Sequence, residues 1–122
     1  MKFTSGEINV VCTDAPKSLY FYTRVLGFEL VEEEDGAYRL RNGDVFYLLL
    51  PFATGPSPHR SYCACASISF DLMTVDVRGA ADHFSAHGVL FEKPFAEGSR
   101  SFIIRDPDDN IIEIIEAVDG LR

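Results

Sequence analysis

The sequence predicts an α+β fold made of two βαβββ modules in tandem. One observation is a repeat: an Asp that begins a helix and a Gly that ends it occur at 14–27 and again, about 62 residues later, at 76–88. A second observation is that each helix is followed by three short runs rich in β-branched and aromatic residues. A long repeat period is typical of a duplicated supersecondary unit, so both halves are expected to share one topology.

The first module is predicted at residues 1–52. Its strand at 7–13 leads into a helix that begins at Asp14, since Asp is a good N-cap and Pro16 falls in the first turn, where its missing N–H costs nothing. Gly27 is suited to end this helix. The apolar stripe expected to face a sheet consists of Leu19, Tyr22 and Leu26. The remaining strands are predicted at 28–33, 38–41 and 45–51, with an Asn-Gly hairpin turn between the last two.

The second module is predicted at residues 67–122, after a connector at 53–66 that is rich in Gly, Pro and Ser. Asp76 is expected to cap its helix and Gly88 to end it. Its strands are predicted at 69–75, 89–92, 101–105 and 111–116. The 122 residues together form a single domain that is long enough to bury a substantial core.

The last strand contains a carboxylate in an apolar setting. Alternation places Ile112 and Ile114 on one face of this strand, and Glu113 on the other face with Ile111 and Ile115. A carboxylate that shares a face with two isoleucines is costly to desolvate unless it meets a cation, a donor or water. Glu113 is therefore the first candidate for chemistry.

Composition excludes several classes of partner. The chain is 47% hydrophobic and 25% charged, as expected of a soluble globular protein, and its net charge of −8 argues against nucleic acid and anionic membranes as partners. No apolar run approaches the roughly 20 residues of a membrane-spanning helix. An odd number of cysteines (three) and no secretory signal at the N-terminus predict a cytoplasmic location.

Two segments resemble motifs of the vicinal-oxygen-chelate superfamily, which includes glyoxalase I, extradiol dioxygenases and bleomycin-binding resistance proteins. Residues 19–28, LYFYTRVLGF, resemble the end of the family's first helix, and residues 105–115, RDPDDNIIEII, resemble its DPDGNxIEL hairpin. Asp109 stands where the family usually has Gly, and Asp tolerates a left-handed turn conformation better than most residues. The resemblance implies a cupped mixed sheet with the helices outside, and a homodimer.

The resemblance also implies a site inside the cup, on the first and last strands of each module. Its positions fall on Glu7, Ser69, Glu113 and Tyr47, with Leu48 in place of Tyr47 if the turns of the two modules differ by one residue. Glu7 and Glu113 are the candidate catalytic residues and metal ligands, for a divalent metal such as Mg²⁺, Mn²⁺ or Zn²⁺. Because Ser and Tyr are poor ligands and Zn²⁺ prefers imidazole or thiolate, a classical metal site is not expected.

Other side chains are expected to line the same cup. Asn9 lies on the strand face of the first module's site, and Asp71 and Met73 lie on that of the second. His59 is a candidate ligand contact from the connector, which could fold over the mouth of the cup. Cys63 and Cys65 are expected to be small buried thiols, with soft-metal binding or reaction with electrophiles as the alternative.

Two functional hypotheses follow. The first is a protein of the bleomycin-resistance type that holds a small organic ligand in an acidic cup without a classical metal site. The alternative is a divalent-metal-dependent lyase, isomerase or dioxygenase that uses Glu7 and Glu113. If these two carboxylates met without a metal, one of them is expected to have a raised pKa and to act as a general base.

Overall fold

Each half of the chain forms its own four-stranded mixed sheet with one helical region. The computed structural model describes residues 1–117 and divides the chain into two compact units, Met1–Pro56 and Ser57–Arg122. The last five residues assigned to the second module, 118–122, lie outside the described residues. The α+β fold of two βαβββ units is the one that the sequence predicts.

In the first unit the helical region follows the first strand. The strand order in its sheet is β1-β4-β3-β2, with β1 parallel to β4 and the other neighbours antiparallel. The elements are β1 (Ile8–Val11), α1 (Ala15–Leu19), β2 (Glu29–Glu34), β3 (Ala37–Asn42) and β4 (Val45–Leu50), and α1 continues as a π-helical segment, Tyr20–Val25.

The second unit repeats this arrangement. Its strand order is β5-β8-β7-β6, again with one parallel pair, β5 and β8. The elements are β5 (Phe70–Thr74), α2 (Val77–Ala86), β6 (Phe91–Lys93), β7 (Ser101–Arg105) and β8 (Ile111–Glu116). No helix within residues 1–117 is both long enough and apolar enough to cross a lipid bilayer.

Both helices begin and end as their sequences predict. Asp14 accepts a hydrogen bond from the Lys17 backbone N–H, and Asp76 accepts one from that of Gly79. These side chains satisfy donors that the first turn leaves free. Gly27 and Gly88 follow the helices with φ angles of 81° and 69°, a conformation that costs Gly little.

The first helical region differs from the prediction in which residues it buries. The predicted stripe included Leu19 and Leu26, but the buried residues of the π-helical segment are Phe21, Tyr22 and Val25. The Leu26 N–H bonds to the Phe21 carbonyl, five residues back. Because such a turn holds more residues than an α-helical turn, it rotates the following side chains away from a 3.6-residue stripe.

Aromatic rings form much of both cores. In the first unit Tyr22 contacts Phe28, and the Phe28 ring lies 4.6 Å from that of Tyr47 between centroids. In the second unit Phe84 of α2 packs against Phe102 of β7 at 5.9 Å. Each helix therefore covers one face of its sheet and leaves the other face free of helix.

The turn before β8 adopts the conformation that the sequence predicts. Asp109 has a φ of 68°, in the left-handed region. The Asp106 carboxylate is buried and accepts hydrogen bonds from the backbone N–H groups of Asp108 and Asn110. It also accepts one from the Asn110 side chain. These bonds fix the turn that positions the start of β8.

Candidate functional site

The candidate site residues of the first unit divide between the two faces of its sheet. Val10 and Tyr47 point to the helix and are buried, whereas Asn9 and Val11 point to the opposite face and are exposed. Glu7 precedes β1 and shares the side of Asn9 by alternation. Only Glu7 and Asn9 of the predicted set therefore lie on the helix-free face of this sheet.

Tyr47 is a core residue, and this corrects its assignment to the ligand-facing side. The strand register pairs Ile8 with Tyr47 and Asn9 with Leu48. Directly paired residues on neighbouring strands point to the same face of a sheet. Tyr47 is only 3% exposed and packs against Phe28. The alternative that the sequence left open, Leu48, occupies the helix-free face.

Leu48 is the first-half counterpart of Glu113. The second sheet pairs Asp71 with Glu113, as the first pairs Asn9 with Leu48. The two turns explain why sequence matching alone was ambiguous: the one before β4 has two residues, 43–44, and the one before β8 has five, 106–110. The first half thus presents an alkyl side chain at the position where the second presents a carboxylate.

Arg39 occupies the helix-free face of the first sheet and binds Glu7. Its Nε and Nη2 donate to the two Glu7 carboxylate oxygens, and its Nη1 donates to Glu32. Arg39 is the register partner of Leu48 and therefore lies on the same face. The sequence analysis missed this residue, although the alternation of Ala37–Asn42 and its hairpin pairing with β4 could have identified it.

This ion pair changes what Glu7 can do. The hydrogen bond from Arg39 is the largest influence and holds the pKa of Glu7 below its ordinary value of 4.5, with desolvation opposing it. The raised pKa expected at one carboxylate depended on Glu7 and Glu113 meeting without a metal, and it stays a prediction. At Glu7 itself the pKa moves in the opposite direction, because a guanidinium stabilises its charged form.

Two carboxylates lie side by side on the second sheet. Asp71 of β5 and Glu113 of β8 are direct register partners on parallel strands, which lie about 5 Å apart. Both therefore project from the helix-free face of this sheet. Asp71 is exposed and Glu113 is half-buried, and no side chain within residues 1–117 forms an ion pair or hydrogen bond with either carboxylate.

Both apolar and polar side chains lie next to this carboxylate pair. Met73 lies two residues from Asp71 on β5 and is 53% exposed, and the register places Ile103 beside Glu113. Ser69 precedes β5 and is exposed. Ile103 is buried, so the accessible apolar part of this face is the Met73 side chain, and together with the carboxylates it suits a ligand that has both a cationic group and an apolar part.

A buried arginine joins the connector to the turn before β8. Arg105 donates from Nε and Nη2 to Glu92 Oε1 at 3.2 and 2.8 Å. Its Nη1 donates to the Asp109 carbonyl, and its Nη2 also donates to the Arg60 carbonyl. Glu92 also accepts the Tyr62 backbone N–H. This last bond and the one from Arg105 hold the pKa of Glu92 below its ordinary value.

His59 lies at the edge of this cluster. Its Nδ1 is 3.9 Å from Asp109 Oδ2, and its side chain is 71% exposed. A small open cleft lies in the same unit, and its lining includes Arg60, Ser69 and Asn110. The predicted ligand residue Ser69 therefore borders a cleft, whereas His59 stands outside its lining.

The donor set does not fit a metal held by three protein ligands. Within residues 1–117 no three His, Cys, Asp or Glu side chains are grouped so that they could bind one ion. Glu7 is engaged by Arg39, and Leu48 offers no donor at the position equivalent to Glu113. Asp71 and Glu113 alone would leave most coordination positions of Mg²⁺, Mn²⁺ or Zn²⁺ to water or ligand.

The cysteines differ sharply in accessibility. Cys12 is buried with 1% exposure, whereas Cys63 and Cys65 are exposed. The expectation that the two connector thiols are buried is therefore wrong. Because β5 begins at Phe70, the segment that holds both thiols lies before the strand and is not part of the sheet.

Comparison with known families and structures gives one consistent result. A family model described as "Glyoxalase/Bleomycin resistance protein/Dioxygenase superfamily" matches residues 4–114. The search of curated proteins gives no match.

Several solved structures are similar to this chain in fold. The fosfomycin resistance protein FosX from Mesorhizobium loti is 17% identical with a TM-score of 0.74, covering 98% of this chain and 96% of that one. FosX from Listeria monocytogenes, complexed with Mn(II) and sulfate ion, is 17% identical with a TM-score of 0.74 and coverages of 98% and 94%. The trypanothione-dependent glyoxalase I of Leishmania major is 19% identical with a TM-score of 0.76 and coverages of 90% and 84%.

Proposed function

Because the matched region spans nearly all of it, the chain belongs to the Glyoxalase/Bleomycin resistance protein/Dioxygenase superfamily, and we propose that it binds a small organic cation. The observation that carries this proposal is the pairing of Asp71 with Glu113, two adjacent carboxylates that no cationic side chain of the described residues neutralises. An ammonium or amidinium group between them would relieve their mutual repulsion and form charge-assisted hydrogen bonds.

The apolar neighbours support a ligand that is more than a simple cation. Met73 offers a flexible, exposed thioether beside the acidic pair, whereas Ile103, next to Glu113 in the register, is buried. Ser69 adds a hydroxyl at the start of the same strand. A ligand with an amine at one end and a hydrocarbon or aromatic body would use both parts of this face.

Glu7 has a different role in this proposal. Arg39 neutralises its carboxylate, so it is not a base and adds little to the attraction of a cation. Asn9, on the same face of the first sheet, presents an exposed amide that can donate to or accept from a ligand bound to that sheet. The alternative is a divalent-metal-dependent lyase, isomerase or dioxygenase that uses Glu7 and Glu113, and it would require Glu7 to exchange Arg39 for the metal.

The proposal includes a homodimer. β1 and β5 are the terminal strands of their sheets within the described residues. Val11 and Met73 on these strands are each 53% exposed. Terminal strands with accessible apolar side chains favour association. Light scattering of the purified protein is expected to give twice the chain mass, and a mass of one chain at micromolar concentration would contradict this part of the proposal.

Ligand binding is tested with matched pairs of compounds. A panel of primary amines and amidines with alkyl or aromatic bodies is compared, by calorimetry, with neutral alcohols and carboxylates of the same shape. Amines are expected to bind and their neutral counterparts to bind at least about tenfold more weakly, because a charge-assisted hydrogen bond contributes about 1.5–3 kcal/mol.

Variants then locate the binding face. Glu113→Gln and Asp71→Asn are each expected to weaken amine binding about tenfold or more. Glu116→Gln is the matched control, because Glu116 is on the same strand but pairs with Arg100. If wild type and the variant that combines Asp71→Asn with Glu113→Gln bind the amine equally, the proposal is wrong.

A Mn²⁺ titration tests the alternative. Stoichiometric Mn²⁺ binding that Glu113→Gln abolishes would replace the cation-binding proposal with the metal-dependent enzyme.

A further inference from the structure

The connector carries two accessible thiols that the proposed ligand site does not use. Cys63 and Cys65 are separated by Ala64 and are both exposed. Cys12, the remaining cysteine, is buried in the first unit. Oxidants and electrophiles reach thiols according to exposure, so the structure divides the three cysteines into a reactive pair and a protected single thiol.

The backbone around the pair is curved. The Ala64 N–H donates to the Ser61 carbonyl at 3.0 Å, and Cys63 has a φ of 69° in the left-handed region. Residues two apart in an extended chain have Cα atoms about 7 Å apart, just beyond the usual disulfide span of about 4.4–6.8 Å. The chain bends at Ala64 and Cys65, so this segment is not fully extended and the two thiols are separated by a single residue.

The residues on either side of the pair are held by polar contacts. The Tyr62 backbone N–H donates to Glu92 at 2.8 Å, and the buried Arg105 binds the same carboxylate. On the other side the Ser67 hydroxyl donates to the Cys65 carbonyl at 3.5 Å. The two thiols are thus carried on a short loop whose beginning is anchored to β6 and β7.

We infer that Cys63 and Cys65 are a reversible redox pair that closes to an intramolecular disulfide by exchange with a low-molecular-weight disulfide such as oxidised glutathione. The inference is independent of the cationic ligand proposed above. It concerns a modification site on the connector, and it requires only that both thiols remain accessible in the folded protein.

The exchange proceeds in two balanced steps. One cysteine, as thiolate, attacks a sulfur of oxidised glutathione, so that a mixed disulfide forms and one glutathione thiolate leaves. The second cysteine, as thiolate, attacks the protein sulfur of that mixed disulfide, and the second glutathione thiolate leaves. The two cysteines lose two electrons in total, glutathione disulfide gains them, and the two cysteine protons pass to the leaving thiolates through solvent.

The disulfide formed this way is expected to be easily reduced. A ring that contains only three residues strains the disulfide geometry, and strained or exposed disulfides have more oxidising potentials than buried structural ones. Closure and reopening should therefore follow the ratio of reduced to oxidised glutathione. The site is suited to respond to redox conditions and unsuited to permanent stabilisation.

Intact-mass measurement with alkylation tests the inference. Native reduced protein is expected to take up two iodoacetamide labels, and protein treated with oxidised glutathione none. After unfolding without reductant, the treated protein should take up one label, at Cys12, and lack two hydrogen atoms relative to the reduced chain. Restoring reduced glutathione should return the two native labels.

Single variants separate the pair from isolated thiol chemistry. Cys63→Ser and Cys65→Ser should each stop at a stable glutathione adduct, because the resolving thiol is missing, whereas Cys12→Ser should still close the ring. The wild-type masses decide the matter even if Cys12→Ser fails to fold. Persistent glutathione adducts on the wild type, disulfide-linked dimers, or two labels after oxidant treatment would each overturn the inference.

Discussion

The Arg39 guanidinium binds both oxygens of the Glu7 carboxylate on the helix-free face of the first sheet. Its Nε contacts Oε2, and its Nη2 contacts Oε1 at 3.4 Å. A bidentate contact of this kind fixes both side chains and keeps Glu7 ionised. A carboxylate that sequence reasoning assigned to metal binding or base catalysis is thus engaged within its own sheet.

Removing Arg39 is expected to raise the pKa of Glu7 toward 4.5, because the largest influence that lowers this pKa is the Arg39 hydrogen bond. A ¹³C NMR titration of the Glu7 carboxyl group in wild type and Arg39→Met measures the change. Arg41→Met is the control, since Arg41 lies on the same strand as Arg39 but pairs with Glu29. An unchanged Glu7 titration in Arg39→Met would contradict the contact.

The same pair sets a pH dependence of stability. Since the folded-state pKa of Glu7 lies below its unfolded value near 4.5, the pair stabilises the fold above that pH. This contribution is lost as the pH falls through the lowered pKa. Wild type and Arg39→Met should therefore differ in the free energy of unfolding at pH 7 and converge once the pH falls below the lowered pKa of Glu7, in urea titrations.

Arg105→Met is expected to destabilise the protein strongly. Its side chain is 4% exposed and satisfies the Glu92 carboxylate and two main-chain carbonyls. Removing the guanidinium leaves Glu92 with only the Tyr62 N–H as a donor within residues 1–117 and takes a donor from each carbonyl, at a cost of about 3 kcal/mol. Arg100→Met, which breaks an exposed pair with Glu116, should cost less than about 0.5 kcal/mol. Similar urea midpoints for the two variants would argue against the buried cluster.

Ser18→Ala is expected to stabilise the protein by about 1 kcal/mol. Ser18 is buried under the first sheet, and its hydroxyl has no hydrogen-bond partner within the described residues. Ala removes this polar group and favours a helix more than Ser does. Ser99→Ala provides the comparison, because the Ser99 hydroxyl donates to the Ser101 carbonyl and its loss should not stabilise. Thermal unfolding measures both variants.

Asp109→Gly is expected to stabilise the turn before β8 by about 0.5–1 kcal/mol. Asp109 has a φ of 68°, which Gly adopts without the steric cost that a side chain incurs. Asn110→Gly should instead destabilise, because the Asn110 side chain donates to the buried Asp106 carboxylate. If both variants lower the unfolding midpoint equally, the conformation of Asp109 is not a source of strain.

Local signals in the sequence were enough to predict most of the fold. Asp14 and Asp76 are caps, and Gly27 and Gly88 end the helices, because these roles depend on contacts within a few residues. The repeat of this pattern correctly predicted two βαβββ units. The buried stripe of the first helix was predicted in part only, since a π-helical segment is decided by packing against the sheet.

The site depended on contacts between distant residues. Alternation predicted that Glu113, Asp71 and Asn9 face away from the helices, because the strand itself fixes the direction of each side chain. It could not decide between Tyr47 and Leu48, since the face that β4 presents depends on how its turn sets the register with β1.

Charge pairing and exposure were also decided by tertiary structure. Glu7 meets Arg39, 32 residues away, only because β3 pairs with β4 and β4 with β1. Cys63 and Cys65 are accessible because β5 starts after them. The sequence by itself determined which residues are polar, where the chain turns, and which strand residues alternate between the two faces of a sheet. Tertiary structure decided which carboxylate is neutralised and which pair, Asp71 and Glu113, has no cationic side-chain partner within residues 1–117, because ion pairs form between groups that strand pairing brings together.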